Sequence, residues 1–142
     1  MSIKSSVENI ITSYLTSQAE ISYPVHRGQT GEEKRLPIIL AYVESIQANQ
    51  AIPDVDENYL IDLKVIVMTS AQDALSEDHQ AEVLATQAVM RDVETIKSLW
   101  DPETDGIMYD LWATGDEEGR DEGSNDYGNI LSYRIAMVAP VI

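Results

Sequence analysis

No cysteine occurs in the chain, and that single absence removes disulfides, thiolate chemistry and every cysteine-based zinc motif together. Long apolar runs are missing as well. No unbroken apolar stretch approaches the roughly 20 residues that a membrane-spanning helix requires. The opening segment, MSIKSSVENIITSYLTS, has one Lys but no unbroken apolar stretch and no small-residue cleavage site. The expectation is therefore a soluble protein without a secretory signal, made and kept in a cytoplasm, with no membrane partner. Positive charge is scarce. Nine Lys and Arg stand against 25 Asp and Glu, a formal net charge of -16. Such a surface repels phosphate and disfavours nucleic-acid binding through a basic patch. It suits a partner with a positive face, or a surface past which DNA slides without adhering; strong net charge also simply keeps a protein soluble.

Recognisable catalytic patterns are also lacking. The chain has two histidines, His26 and His79, and no HxxxH or HxxE…H spacing, whereas a metal site needs three or four converging ligands. His26 falls in a polar stretch; His79 falls at the start of a helical stretch beside Asp78 and ahead of Glu82, and reads as a solvated helix residue. No GxSxG, Walker A or GxGxxG fingerprint is present, and nothing pairs a histidine with a serine as a nucleophile and its base would require. Carboxylate pairs are always available among 25 acids, but most of these sit in polar stretches where their pKa values stay ordinary and unsuited to proton donation at neutral pH. The expectation is a protein that binds and assembles, with no cofactor, no metal and no catalytic residues.

What is present is periodicity. At 142 residues the chain fits one domain, taken here as residues 1–142, large enough to hold a core without metal or disulfide. Ile3, Val7, Ile10, Ile11, Tyr14 and Leu15 recur at steps of three and four, which predicts an amphipathic helix over residues 2–17. Residues 18–35 turn polar, with a short extended piece expected at Ile21–Val25. Leu36–Ile46 predicts a strand with Pro37 at its start or on an edge, and Ala48–Glu57 a loop. In Tyr59–Met68 the residues Tyr59, Ile61, Leu63, Val65 and Val67 share one face, the mark of a strand with one buried side. Ser76, followed by Glu77 and Asp78, is a helix start signal. Ala81, Leu84, Ala85, Ala88, Val89, Val93 and Ile96 then hold a helical period to Leu99, closed off by Pro102 and Gly106. Ile107–Thr114 predicts a third strand, with Ile107, Tyr109, Leu111 and Ala113 facing one way, and Tyr127–Val138 a fourth, with Leu131, Tyr133, Ile135 and Met137 on one face. Trp100 and Trp112 read as packing residues. The order is α-β-β-α-β-β: an α+β fold with a four-stranded antiparallel sheet covered on one face by two helices.

Between the last two strands lies Gly115–Asp126, GDEEGRDEGSND, with six acids, one Arg, three Gly and no apolar residue. Asp116, Glu117, Glu118, Asp121, Glu122 and Asp126 are enough oxygen ligands for Ca²⁺, but the EF-hand register is not met. A solvated hairpin tip is the plainer reading, since like charges repel and glycines add chain entropy. A tip that becomes ordered on a basic partner, or projects into a channel, is the functional one.

The amino-terminal helix, the Y-x-I-x-L-x-V-x-V strand at Tyr59–Val67, the alanine-rich helix with an early histidine over His79–Leu99, and the closing hairpin together resemble the tail terminator, or tail completion, proteins of long-tailed bacteriophages. The resemblance covers most of the chain and rests on order and pattern, with no invariant motif. It implies a virion protein of the tail or neck, assembled in the host cytoplasm. Such a protein would form a hexameric ring that caps the tail tube and joins it to the head-tail connector or neck protein. DNA would pass through the lumen without specific binding. Under that reading the candidate tube or lumen contacts are Asp54, Asp56 and Glu57 in the first long loop and Asp116, Glu117, Glu118, Asp121, Glu122 and Asp126 in the second. Edge strands would supply the subunit contacts, with Leu36–Val43 or Tyr127–Met137 as candidates. Two rivals stand beside it. One is an acidic, dimeric type III secretion chaperone-like binding protein, which would usually carry a further strand and a carboxyl-terminal helix where this sequence reads APVI after a strand. The other is a hydrolase with a loop-borne carboxylate pair.

Overall fold

The computed structural model describes residues 2–28, 36–48, 58–121 and 126–139. Within them the elements run α1 (Ile3–Ser17), β1 (Val25–Arg27), β2 (Ile38–Ala48), β3 (Asn58–Ser70), a 3-10 turn (Ala71–Asp73), α2 (Glu77–Met90), α3 (Val93–Ser98), β4 (Ile107–Asp121) and β5 (Asp126–Val138). The class is α+β, as expected, but with a five-stranded sheet in the order β1-β2-β3-β5-β4 and three helices. The four long strands pair antiparallel. The short extended piece expected at Ile21–Val25 is displaced to Val25–Arg27 and adds a fifth strand, parallel to β2 at Ile39–Ala41.

The helices cover one face. Ser2 caps α1 by accepting from the Ser5 N–H at 3.1 Å, and Val7, Ile11, Tyr14 and Leu15 sink into the core. Their sheet partners are the alternate residues Ile61, Leu63, Val65 and Val67 of β3 and Leu131, Tyr133, Ile135 and Met137 of β5, all buried, so the period-two reading of both strands holds. The first half of β2 is apolar on both sides. Ile39 and Ala41 join the helix-covered core, while Ile38 and Leu40 pair with Met68 and Ile66 in a smaller apolar cluster on the reverse face. The expectation of a single buried face is corrected to that extent.

Three further expectations change, each for a physical reason. The helix expected to run to Leu99 breaks at Arg91–Asp92. The Asp92 carboxylate accepts from the Thr95 N–H at 3.3 Å and from the Thr95 hydroxyl at 2.7 Å, so a side chain that caps a new helix interrupts the old one. The face of α2 is also rotated from the alanine-leucine stripe. His79, Glu82, Thr86, Val89 and Met90 are buried, whereas Leu84 is exposed. In β4, a bulge between Met108 and Asp110 shifts the alternation. Met108 and Leu111 both point into the core, and Ile107, expected to be buried, is half exposed.

A fourth correction concerns the acidic segment. Residues 115–121, expected as a loop, continue β4 and pair with β5 as far as Asp121 opposite Asp126. Asp, Glu and Gly are poor strand formers, but β5 is held on its other side by β3, with Val65–Ser70 paired to Asp126–Leu131. Its free backbone groups need partners, and the acidic segment supplies them while the carboxylates of Asp116, Glu117 and Glu118 stay in water. The turn into β4 requires Gly106, whose φ is +90° and where a Cβ would run into the Val138 carbonyl oxygen.

Candidate functional site

Two buried carboxylates fasten α1 to β1 and β2 and α2 to the segment ahead of β1. Glu8 of α1, 2% exposed, accepts from Arg27 Nε at 2.9 Å and from the Val43 N–H at 2.8 Å, the latter beside the bulge in β2 between Val43 and Ser45. Glu82 of α2, 4% exposed, accepts from the N–H groups of Ser22 at 3.0 Å and Tyr23 at 2.9 Å. A buried charge is costly unless hydrogen-bonded, and both are. His79, expected to be solvated, is 1% exposed. Its Nδ1 lies 3.0 Å from the Tyr23 hydroxyl and its Nε2 2.9 Å from Asn129 Oδ1, so the ring ties α2 to the segment ahead of β1 and to β5. These nitrogens are occupied, which leaves the imidazole in a structural role. Burial, followed by the Glu82 charge, raises the Tyr23 phenol above its ordinary range.

On the reverse face a polar ladder crosses three strands. Asp62 of β3 accepts from the Ser45 hydroxyl at 2.7 Å and from Arg134 Nε at 3.0 Å, and Lys64 donates to Ser132 at 2.7 Å beside Glu44 at 3.4 Å. Burial pushes the Asp62 carboxyl up, but the hydrogen bonds from Ser45 and Arg134 and the charges of Arg134 and Lys64 outweigh it and hold the carboxyl below its usual range. Arg27, Lys64 and Arg134 are thus each paired with one carboxylate within the chain, so the net charge of -16 is carried by the other groups.

The sequence-predicted acids divide as follows. Asp54, Asp56, Glu57 and Glu122 lie outside the described residues, as does the side chain of Asp121. Asp116, Glu117 and Glu118 are exposed on β4. Because they lie on a strand they do not form one cluster. Asp116 and Glu118 stand opposite Leu131 and Asn129 on the helix side, while Glu117 stands opposite Ile130 on the reverse. Asp116 Oδ2 is 3.4 Å from Gln87 Nε2. Burial, together with a hydrogen bond to Glu118 and that residue's charge, raises the Tyr127 phenol. Asp126 opens β5 opposite both Ser70 and Asp121. Among the described residues no three His, Asp or Glu side chains converge as a metal ion would require, and no helix is long and apolar enough to cross a membrane.

The sheet edges also differ from expectation. Tyr127–Met137 is interior, between β3 and β4, and Leu36–Val43 is covered in part by β1. The described edges are β1, with His26 and Arg27, and β4, with its acids. They are unlike in length and in charge. The sequence did not reveal them because strand order follows from crossover geometry, which periodicity does not encode.

No family model matches the chain, and no curated protein matches it. Among solved structures, a chain described as "Virion of native gene transfer agent (GTA) particle" has a similar fold, with a TM-score of 0.65 at 13% identity, covering 94% of this chain and 95% of that one.

Proposed function

We propose that the chain is a structural protein of a phage-like virion, of the tail-terminator type. In this reading six copies form a ring that caps the tail tube and joins it to the head-tail connector. DNA passes through the lumen, and the role is assembly rather than catalysis. The observation that carries the reading is the end-to-end likeness in fold to a chain of a gene transfer agent virion, over 94% of one and 95% of the other. The charge of -16 supports it, because an acidic lining lets DNA pass without adhesion. The two unlike edges support it too. A ring needs head-to-tail contacts between two different patches on each subunit. An acidic β4 edge repels its own copy and accepts the edge bearing His26 and Arg27 more readily. Glu117 and Asp126 remain candidates for tube or lumen contacts, beside the acids of the two connecting segments.

Negative-stain images of the purified protein, alone and mixed with tail tubes, test this. Rings, or tubes capped at one end, are the expected result. Particles that stay single or paired and leave the tubes bare would overturn it, and a strict pair would favour the chaperone-like reading.

A further inference from the structure

On α2 the usual order is inverted: polar His79, Glu82 and Thr86 are buried, while Leu84 is 65% exposed and Leu75, just ahead of the helix, is 83% exposed. A single exposed leucine needs no explanation, but two at one groove are informative. The groove exists because the sheet outruns its cover. α3 packs on β4 and α2 on β3, so the distal half of β4 stands beside α2 as a free wall. One stretch of about 460 Å³ runs between Gln87 and Arg91 on the helix and Ala113–Asp116 on the strand, floored by Leu131 and Tyr133. A second, of about 320 Å³, runs between Leu75, Val83 and Leu84 on one side and Glu118 on the other, with His79 and Asn129 at its floor. Asp116, whose carboxylate lies 3.4 Å from Gln87 Nε2, lines both, so the two stretches meet end to end at that residue as a two-part trough.

We propose that this trough docks a basic, leucine-bearing peptide segment of another protein. The helix wall offers Leu75, Val83 and Leu84 to apolar side chains, and the strand wall offers the carboxylates of Asp116 and Glu118 to Lys or Arg. Charge selects the occupant. Nucleic acid is repelled by a chain of net charge -16. A second copy is the less suited occupant, because it carries the same net charge of -16 as the chain it would dock on. A positively charged segment from a different protein meets both walls. The floor is preformed by the bonds from His79 to Tyr23 and Asn129, so docking requires little reordering. The proposal stands apart from the ring reading, since the trough lies on the helix-covered side of β4 and is complete in one subunit.

The test is an NMR titration of the isotope-labelled full chain with a capped heptapeptide of alternating Lys and Leu, alongside Lys-Ser and Glu-Leu peptides of equal length. The expected result is saturable shifts confined to residues 75–91 and 113–119. Affinity should fall about tenfold or more for either control peptide, as loss of an anchoring contact predicts. The same loss is expected in Leu84→Ser and in the double variant Asp116→Asn, Glu118→Gln, neither of which removes a core contact. Shifts spread over the reverse face, or equal affinity of Lys-Leu and Lys-Ser peptides, would overturn the proposal. So would concentration-dependent shifts of the same amides without peptide, which would make a second copy the occupant.

Discussion

At the scale of single residues, the molecule is held by polar side chains that hydrophobic periodicity does not register. Glu8, His79 and Glu82 look like surface residues in the sequence, yet each is buried and each bonds a segment far away in the chain. Their partners are the backbone N–H groups of Val43, Ser22 and Tyr23 and the side chains of Arg27, Tyr23 and Asn129, whose positions depend on the whole fold, so no local pattern could have identified them. Leu84 is the converse: a leucine at core spacing that the rotation of α2 leaves in water. Removing the Glu82 carboxylate strands the Ser22 and Tyr23 N–H groups without an acceptor. Glu82→Ala should therefore lower unfolding stability by about 2–3 kcal/mol, read from the urea midpoint, while Leu84→Ser should stay within about 0.5 kcal/mol. Asp62 gives a pH signature. Its folded carboxyl is held below the ordinary range, so its contribution is complete above the unfolded value, near ~4, and is lost as the pH falls through the folded one. The stability gap between the wild type and Asp62→Asn should be open at neutral pH and closed in strong acid. A gap that persists unchanged in acid would show that the ladder with Arg134 and Ser45 is not its source.

At the scale of elements, most of the plan could be read from periodicity. The bounds of α1, the alternating faces of β3 and β5, the Ser76 cap of α2 and the antiparallel pairing of the long strands all stand as expected. The misreadings share one cause: local preference was outvoted by a neighbour. Asp92 followed by Thr95 is a capping signal in plain view, but it sits inside an apolar period that continues through Val93 and Ile96. Asp92→Ala should cost about 1 kcal/mol, the usual worth of such a cap, measured by thermal unfolding. The acidic stretch has no apolar residue, and its like charges and glycines favour a loop, yet it is a strand because β5 demands partners. Hydrogen exchange discriminates between the two. In a paired strand, alternate amides of Asp116–Gly119 should exchange slowly, whereas a solvated tip would exchange them all at the rate of an open chain.

At the scale of the whole molecule, the α+β class and one helix-covered face were legible, but the strand order was not. Hydrophobic alternation states which residues face the core and is silent on which strand lies beside which. That is why Tyr127–Met137 was a candidate edge and is instead interior. The same ordering puts a short edge with His26 and Arg27 on one side and a long acidic edge on the other, and this asymmetry is what the proposed head-to-tail assembly would use. Native mass spectrometry of the full chain, with and without tail tubes, measures that assembly directly. The account predicts a six-copy species, either free or formed on the tubes. A stable dimer with nothing larger under both conditions would contradict it.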